Sequence, residues 1–551
     1  MTNAVKLCAH IKQDVSKVFA YQYLVTPGKS EQIDGMSVLP FGKFSIHVGA
    51  KLHSALLTDC KRRFFGYVLG IAVDRSGLIK GEHQLDELDL DDPQLFARFA
   101  EYLDDVAGRY VVLCGAGTEQ RVYTDPVAMI GCVYDPTSQR VASLLNLTLN
   151  RDIVLNSKSD HEAVEKRGGK YILFNTRDEY CRRMNGSFYL DLETMMETRF
   201  WPRTDRFEVP LSEYAKVYDE IINTARHVIG AITDRFKTAM PLSGGRDSRL
   251  LAAMAGEHIH KVNQPFTHIT NFATRYDATV ASLIGKHLDI PHEVHSWRQP
   301  SPPERSKFQY RQDLRGFQTA VGAPVRMPDE MERNVHQLLH EDQVVLRGHL
   351  TDLLRAVYVF TSKRSRWKEF DWQVQRLFPV SLSDFNQDIY KTFLPDFTAW
   401  HSSLPPAAQE LPLDFMFIEA YYNATVGFTF NGLHKHFYMS PFNSRRLIEL
   451  SLAINVDYRR TGKPVDDIIY RIDPGLCAIP YYKEAGADLS VLEYDSDWRS
   501  ISSERMADVQ CRFDTNYAEA AAFIEQYEKE SEKPVAFTGV LKAGVAYLAL
   551  F

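Results

Sequence analysis

The residues with the most chemical content in this chain stand together at Ser243-Gly244-Gly245-Arg246-Asp247-Ser248. Just before them, Thr238 to Leu242 is a short apolar run that reads as a buried strand. Just after them, Leu250 to Met254 opens an apolar helix. A strand, a Gly-Gly turn and a helix start aim successive backbone N–H groups at one point, backed by the positive end of the helix dipole. Gly244 and Gly245 let the backbone approach a phosphate with no Cβ in the way. Ser243 and Ser248 add hydroxyl donors. Asp247 would repel a bare phosphate, so its use in such a loop is to hold a magnesium ion that the phosphates share. An Asx-type turn with Ser243 or Asp247 as helix cap would use the same residues. The full strand–turn–helix context favours the phosphate reading. The segment does not fit GxxxxGK[ST], so it is not the common nucleoside-triphosphate loop.

Elements must position that loop. Upstream, 64–74, 108–117, 121–125 and 187–193 are apolar or alternating runs ended by Gly, Asp or Pro, and read as strands. A helix over 93–108 interrupts them. This region predicts an α+β domain of antiparallel hairpins. The texture changes at Trp201-Pro202-Arg203, and the boundary is placed near 205. A long amphipathic helix follows over 211–236, and strands then alternate with helices, as in a parallel sheet with crossover helices. Prolines and charges cluster from 296 to 330, which reads as an insertion or loop. The tail over 486–551 reads as helical and carries no motif.

The chain has 551 residues, 45% hydrophobic, 12% aromatic and 25% charged, which excludes disordered, collagen-like and coiled-coil classes. The length suggests three or four domains, or two if they are large α/β units. A formal net charge of −7 argues against a chain built to coat nucleic acid. The seven cysteines stand singly with no CxxC, which fits a reducing compartment and counts against a zinc ribbon or redox motif. No stretch has the length of a signal peptide or of a membrane-spanning helix. The expectation is a cytoplasmic protein with no membrane partner.

SGGRDS resembles the pyrophosphate loop of the ATP pyrophosphatases, most closely the synthetase domain of the asparagine synthetase and β-lactam synthetase superfamily. Further segments are similar in the same order. FTHITNFATRYDATVASLIGKHLDIPHEVH (266–295) is similar to the second strand and helix, where the strand end, Ile269, approaches adenine. VVLRGHLTD (344–352) resembles the strand ending in VLSGEGSDE, which makes Gly348 part of the nucleotide site and Asp352 a magnesium ligand beside Asp247. FYMSPFNSRRLIELSLAIN (437–455) resembles ARVPFLDKKFLDLAMxI. TGKPVDDIIYRI...PYYKE (461–484) resembles the segment whose catalytic lysine would here be Lys483. These matches run from about 205 to 485. Upstream, 103–135 is similar to the family's amidotransferase domain, but Thr2 stands where its nucleophilic cysteine would be and the nearest cysteine is Cys8. The favoured reading is a degenerate domain without glutaminase activity, with a Thr2 nucleophile as the alternative.

The resemblance implies a two-domain α/β protein. Residues 1–205 would form an antiparallel two-sheet, Ntn-hydrolase-like α+β sandwich. Residues 206–551 would form a Rossmann-like, parallel-sheet ATP pyrophosphatase domain (adenine nucleotide alpha hydrolase) with helical additions. It implies an AMP- and pyrophosphate-forming amide ligase with ATP and Mg2+. A carboxylate is adenylated and an amine then displaces AMP. The substrates would be small-molecule, sugar or peptide acids and amines of natural-product or glycan biosynthesis, with β-lactam synthetases and peptide cyclases as the nearest analogues. Leu242, Ser243, Gly244, Gly245, Arg246, Asp247, Ser248, Ile269 and Gly348 would bind ATP and pyrophosphate, and Asp247 and Asp352 the metal. Lys463 and Arg471 are further phosphate candidates. His349 stands where the family has Glu or Tyr, and is either a base for the amine or a hydrogen-bonded loop residue. His436 or His434 would be its partner. The alternatives are an asparagine synthetase-like protein using free ammonia, a tRNA-modifying ATP pyrophosphatase, and a nucleotide-binding scaffold. A homodimer is compatible with each.

Overall fold

The run Phe64–Asp74 is apolar nearly throughout because both of its faces are covered. Leu69, Ile71 and Val73 point into one core, and Val68 and Ala72 into another, with the period of two that a strand imposes; Phe65 joins the second core across a register shift in the pairing with Leu57 and Thr58. The coordinates form a computed structural model that describes residues 2–28, 32–166, 168–269, 272–296, 306–359, 364–377, 389–479 and 481.

Phe64–Asp74 lies inside an eight-stranded, largely antiparallel sheet. Its path runs Glu197–Arg199, Phe188–Asp191, Glu119–Thr124, Ala107–Ala116, Phe64–Asp74, Ser54–Thr58 and Gly81–Gln84, with Gly77–Leu78 paired at the side. A six-stranded antiparallel sheet follows the order Arg182–Arg183, Val133–Asp135, Arg140–Ala142, Tyr23–Pro27, Phe44–Gly49, Met36–Phe41. Ile46 and Val48 of this sheet share a core with Leu69, Ile71, Val111 and Leu113 of the other. On the other face of the larger sheet, Leu95 and Phe99 of the Leu95–Tyr102 helix pack on Phe65, Val68 and Val112.

The Tyr214–Thr233 helix leads from these sheets into a five-stranded sheet in which every pairing is parallel. Its order is Glu293–Ser296, Gln264–Ile269, Thr238–Pro241, Val344–Leu346, Phe437–Met439. The chain starts in the middle, steps outward twice, then returns to fill the other side. Thr238–Pro241 and Val344–Leu346 are therefore neighbours whose connections leave in opposite directions. Such a switch point opens a crevice at the carboxyl ends of the strands, where open α/β sheets bind ligands.

Between the fourth and fifth strands runs one long helix over 412–432. Its middle is wound as π-helix, over Met416–Tyr421 and Asn423–Gly427. The stretch expected to be a loop from 296 to 330 contains the 15-residue helix Lys307–Val321. Ser306 caps its start by accepting from Gln309 N–H, and Gly322 ends it at φ 73°. The tail over 486–551 lies outside the described residues.

One hydrophobic core runs through the antiparallel sheets and the parallel sheet together. Buried polar groups stitch the junction. Arg109 donates to Tyr438 O and Asn431 Oδ1. Asn443 donates to Gly108 O and Asp125 Oδ1, and Arg445 to Thr124 O and Gly186 O. Among the described residues no helix is long and apolar enough to cross a membrane, and the cysteines are free thiols.

Candidate functional site

The loop after Thr238–Pro241 lies at the switch point. Leu242 extends the sheet by one residue, its N–H donating to Phe266 O at 2.8 Å and its carbonyl accepting from Thr267 Oγ1 at 2.7 Å. The chain then turns through Ser243, Gly244 and Gly245 into the Arg246–Ala255 helix, whose start has no side-chain cap. An uncapped helix start leaves first-turn donors for a ligand. Ser243 Oγ and Ser248 Oγ are 2.8 Å apart, and Ser248 Oγ also accepts from Ser243 N–H at 3.0 Å. Gly245 N–H donates to Ser243 Oγ, and Gly244 N–H to the Asp277 carboxylate at 3.0 Å. Ile269, half-buried at the end of the neighbouring strand, completes this side of the crevice.

The opposite side is the turn after Val344–Leu346. Gly348 passes so close to the loop helix that a Cβ there would meet Asp247 O at 2.9 Å. Only glycine permits that approach. Leu350 follows at φ 71° and opens a tight 3-10 turn over Thr351–Arg355. Arg459, buried and bidentate to Asp414 at 2.9 Å on each oxygen, braces this turn by donating to Leu353 O.

The two turns bring Asp247 and Asp352 onto one atom. Arg355 Nη2 donates to Asp247 Oδ2 at 2.7 Å and to Asp352 Oδ1 at 2.9 Å. Thr351 Oγ1 donates to the other oxygen of Asp247 at 3.1 Å. Tyr422 OH donates to the other oxygen of Asp352 at 2.8 Å and accepts Leu350 N–H at 2.8 Å. Tyr422 lies between the two π-wound stretches of the 412–432 helix, an irregularity frequent at functional sites. Burial, reinforced by the Asp247 charge, pushes the Asp352 carboxyl up to about 6. Two carboxylates converging on a single cationic nitrogen are also a hard-cation donor set, so the residues fit a magnesium ion.

The loop residues other than Arg246, together with Ile269, Gly348, Asp247 and Asp352, thus meet at one crevice. Other expected residues do not. His436 is corrected. Phe437 pairs with Val344 in the parallel register, so His436 precedes the sheet at its amino end, whereas His349 follows it at the carboxyl end. There His436 Nε2 lies 3.0 Å from His336 O. His434 belongs to the same amino-end loop, with Nδ1 3.2 Å from Gly432 O. His349 is at the crevice but its surroundings do not suit a base. Burial, with Arg347 adding to it, lowers its pKa to about 3. Its ring packs edge-on against Phe430 at 5.1 Å, and its Nδ1 is buried with no hydrogen-bond partner among the described residues. Arg471 is corrected too, being paired with Asp219 at 2.6 Å. Lys463 starts a helix next to Gly462, whose Cβ position lies near Arg246. Lys483 lies outside the described residues.

Arg246 and Arg249 turn away from the loop. They lie 4.3 and 4.1 Å from the Tyr481 ring. Arg249, fully buried, donates to Leu476 O and Ile479 O, and Arg246 lies 3.5 Å from Asp466. In the other half, Thr2 Oγ1 accepts from Val5 N–H as a helix cap, and burial pushes the Cys8 thiol up to about 11. Neither is set up as a nucleophile. A separate cavity of about 50 Å³ lies between the six-stranded sheet and the 412–432 helix, with Tyr171, Arg183, Asn423 and Phe428 in its wall, and it contains none of the crevice residues.

Sequence reasoning missed Arg355, Tyr422, Asp277 and Tyr481. Arg355 had a signal, its i, i+3 spacing from Asp352 on a helical turn. The others meet the loop only through the tertiary fold. No protein-family model and no curated protein matches this chain.

Proposed function

We propose that the chain is an ATP-dependent, AMP-forming amide ligase of the asparagine synthetase-like kind, with a degenerate amidotransferase-like sandwich at its amino end. The observation that carries this reading is the convergence at the switch point. The Ser243–Ser248 loop, the glycine at 348 and the carboxylates of Asp247 and Asp352 share one crevice. A substrate carboxylate attacks the α-phosphate of ATP and pyrophosphate leaves; an amine then attacks the acyl-adenylate and AMP leaves. Ser243, Gly244, Gly245 and Ser248 hold the pyrophosphate through backbone N–H groups and hydroxyls. Asp277 must release Gly244 N–H for this. Asp247 and Asp352 would hold magnesium, which when bound supplies neutralisation of the phosphate charge. Ile269 and Leu242 flank the adenosine. His349, kept neutral, shapes the pocket wall instead of taking the amine's proton. Lys483 is the expected group for charge on the tetrahedral species.

ATP–pyrophosphate exchange tests this reading. The assay uses magnesium, a panel of amino acids, N-carboxyalkyl amino acids, uronic acids and peptides, and an Asp247→Ala control. Exchange that depends on one acid and vanishes in the control is expected. Absence of ATP binding to the wild type would sink the ligase reading. A nucleotide-binding scaffold is the second reading, favoured by the low basicity of His349. It predicts ATP binding with no exchange for any acid.

A further inference from the structure

Both charges that a metal–nucleotide complex would bring to the crevice have counterparts supplied by the chain itself. Arg355 Nη2 sits between Asp247 and Asp352, at 2.7 and 2.9 Å, where a divalent cation would bridge them. Asp277 Oδ1 sits 3.0 Å from Gly244 N–H, where a phosphate oxygen would lie. The arrangement is built and not incidental. The remaining carboxylate oxygens are held by Thr351 and Tyr422, so Asp247 and Asp352 keep their inward oxygens aimed at the guanidinium. The three charged side chains are each less than one-fifth exposed. Two carboxylates this close repel each other strongly when nothing positive lies between them. Arg355 offsets part of that repulsion.

We propose that Arg355 is the resident cation of this site. It neutralises Asp247 and Asp352 in the nucleotide-free protein, excludes free divalent cations from between them, and yields the pair when a nucleotide arrives with its own metal. Metal binding is then ordered. A free cation must compete with a tethered guanidinium at high effective concentration. A metal–nucleotide complex brings phosphates that interact with Arg355 and the loop amides in compensation. This inference rests on the reading of Asp247 and Asp352 as metal ligands.

The test is a Mn2+ titration of the full chain followed by electron paramagnetic resonance of the free ion, with and without α,β-methylene-ATP. Wild type and Arg355→Lys, which keeps the charge, are expected to bind Mn2+ weakly until the analogue is added. Arg355→Met is expected to bind Mn2+ without analogue about tenfold or more tighter than wild type, equivalent to about 1.4 kcal/mol or more. The double variant Arg355→Met with Asp352→Asn is expected to lose that gain. Equal Mn2+ binding by wild type and Arg355→Met without analogue would overturn the proposal. If Arg355→Met does not fold, the wild type alone decides, since tight Mn2+ binding that the analogue does not improve overturns it. The underlying reading fails separately. If equilibrium dialysis finds no analogue binding while Arg355→Met still gains Mn2+, the ligase reading falls and the resident cation stands.

Discussion

Gly348 is where a single atom decides whether the crevice exists. A methyl at 348 would lie 2.9 Å from Asp247 O and 3.2 Å from Asp247 Cβ, and neither is the movable end of a side chain. Gly348→Ala is expected to push the two turns apart, to cost about 1–3 kcal/mol in urea denaturation, and to lose Mn2+ and nucleotide binding together. Asp467 carries a different prediction. It accepts from Tyr218 and Tyr458 hydroxyls, and burial pushes its carboxyl up to about 6, with Asp466 adding to the rise. Its unfolded value is near 4, so the folded state holds the proton more tightly. The stability this adds is full below about pH 4 and is lost as pH rises through about 6, a change of about 3 kcal/mol. Asp467→Asn is expected to flatten that slope in a series of urea midpoints across pH 4–7. An unchanged slope would show that Asp467 is not its source. At this scale the strand–turn–helix course of the loop is legible in the sequence, because Thr238 to Met254 set it through neighbours in the chain. The partner of Asp247 is not, because Arg355 reaches it only after the sheet has brought the two turns together.

Among the elements, the 3-10 turn over Thr351–Arg355 is the part that other elements must hold in place. It is bounded by Leu350 and Ala356, both at positive φ, a conformation costly for residues with a Cβ. Arg459 braces it from the Val456–Arg460 helix while pairing with Asp414 at the start of the 412–432 helix. Arg459→Ala would strand the Asp414 carboxylate in the interior. It is expected to cost about 3–5 kcal/mol by chemical denaturation, and to weaken nucleotide binding in protein that remains folded. Strand and helix identities were largely readable from period and punctuation, as at Phe64–Asp74 and Tyr214–Thr233. The Lys307–Val321 helix is masked in the sequence by the prolines and charges just ahead of it, although Ser306 and Gly322 mark its boundaries. The place of His436 is hidden from the sequence for another reason. Register decides which end of a parallel strand a residue occupies, and sequence proximity to a motif does not.

At the scale of the molecule, the antiparallel sheets and the parallel sheet share one core and exchange buried hydrogen bonds through Arg109, Asn443 and Arg445. Separating them would strand buried guanidinium and amide groups, each at a cost of about 1–3 kcal/mol. The full chain is therefore expected to unfold in a single calorimetric transition. A fragment beginning near 206 is expected to be unfolded or insoluble, and an independently cooperative fragment would refute this. The two architectures were foreseeable from alternating runs followed by strand–helix alternation. Their fusion was not, because the buried partners of Arg109, Asn443 and Arg445 lie hundreds of residues away in the chain.

Tyr481, whose ring meets both Arg246 and Arg249, bears on how such loops diversify. Arg246 lies inside the stretch that would cradle phosphate and Arg249 one residue beyond it, yet both grip the Pro474–Ala478 helix or the chain that follows it. Substitution at one end of this clamp leaves the other end with nothing to hold. Among descendants of a common ancestor, the arginine pair and the tyrosine are expected to be gained and lost as a set, while the serines and glycines beside them stay constant.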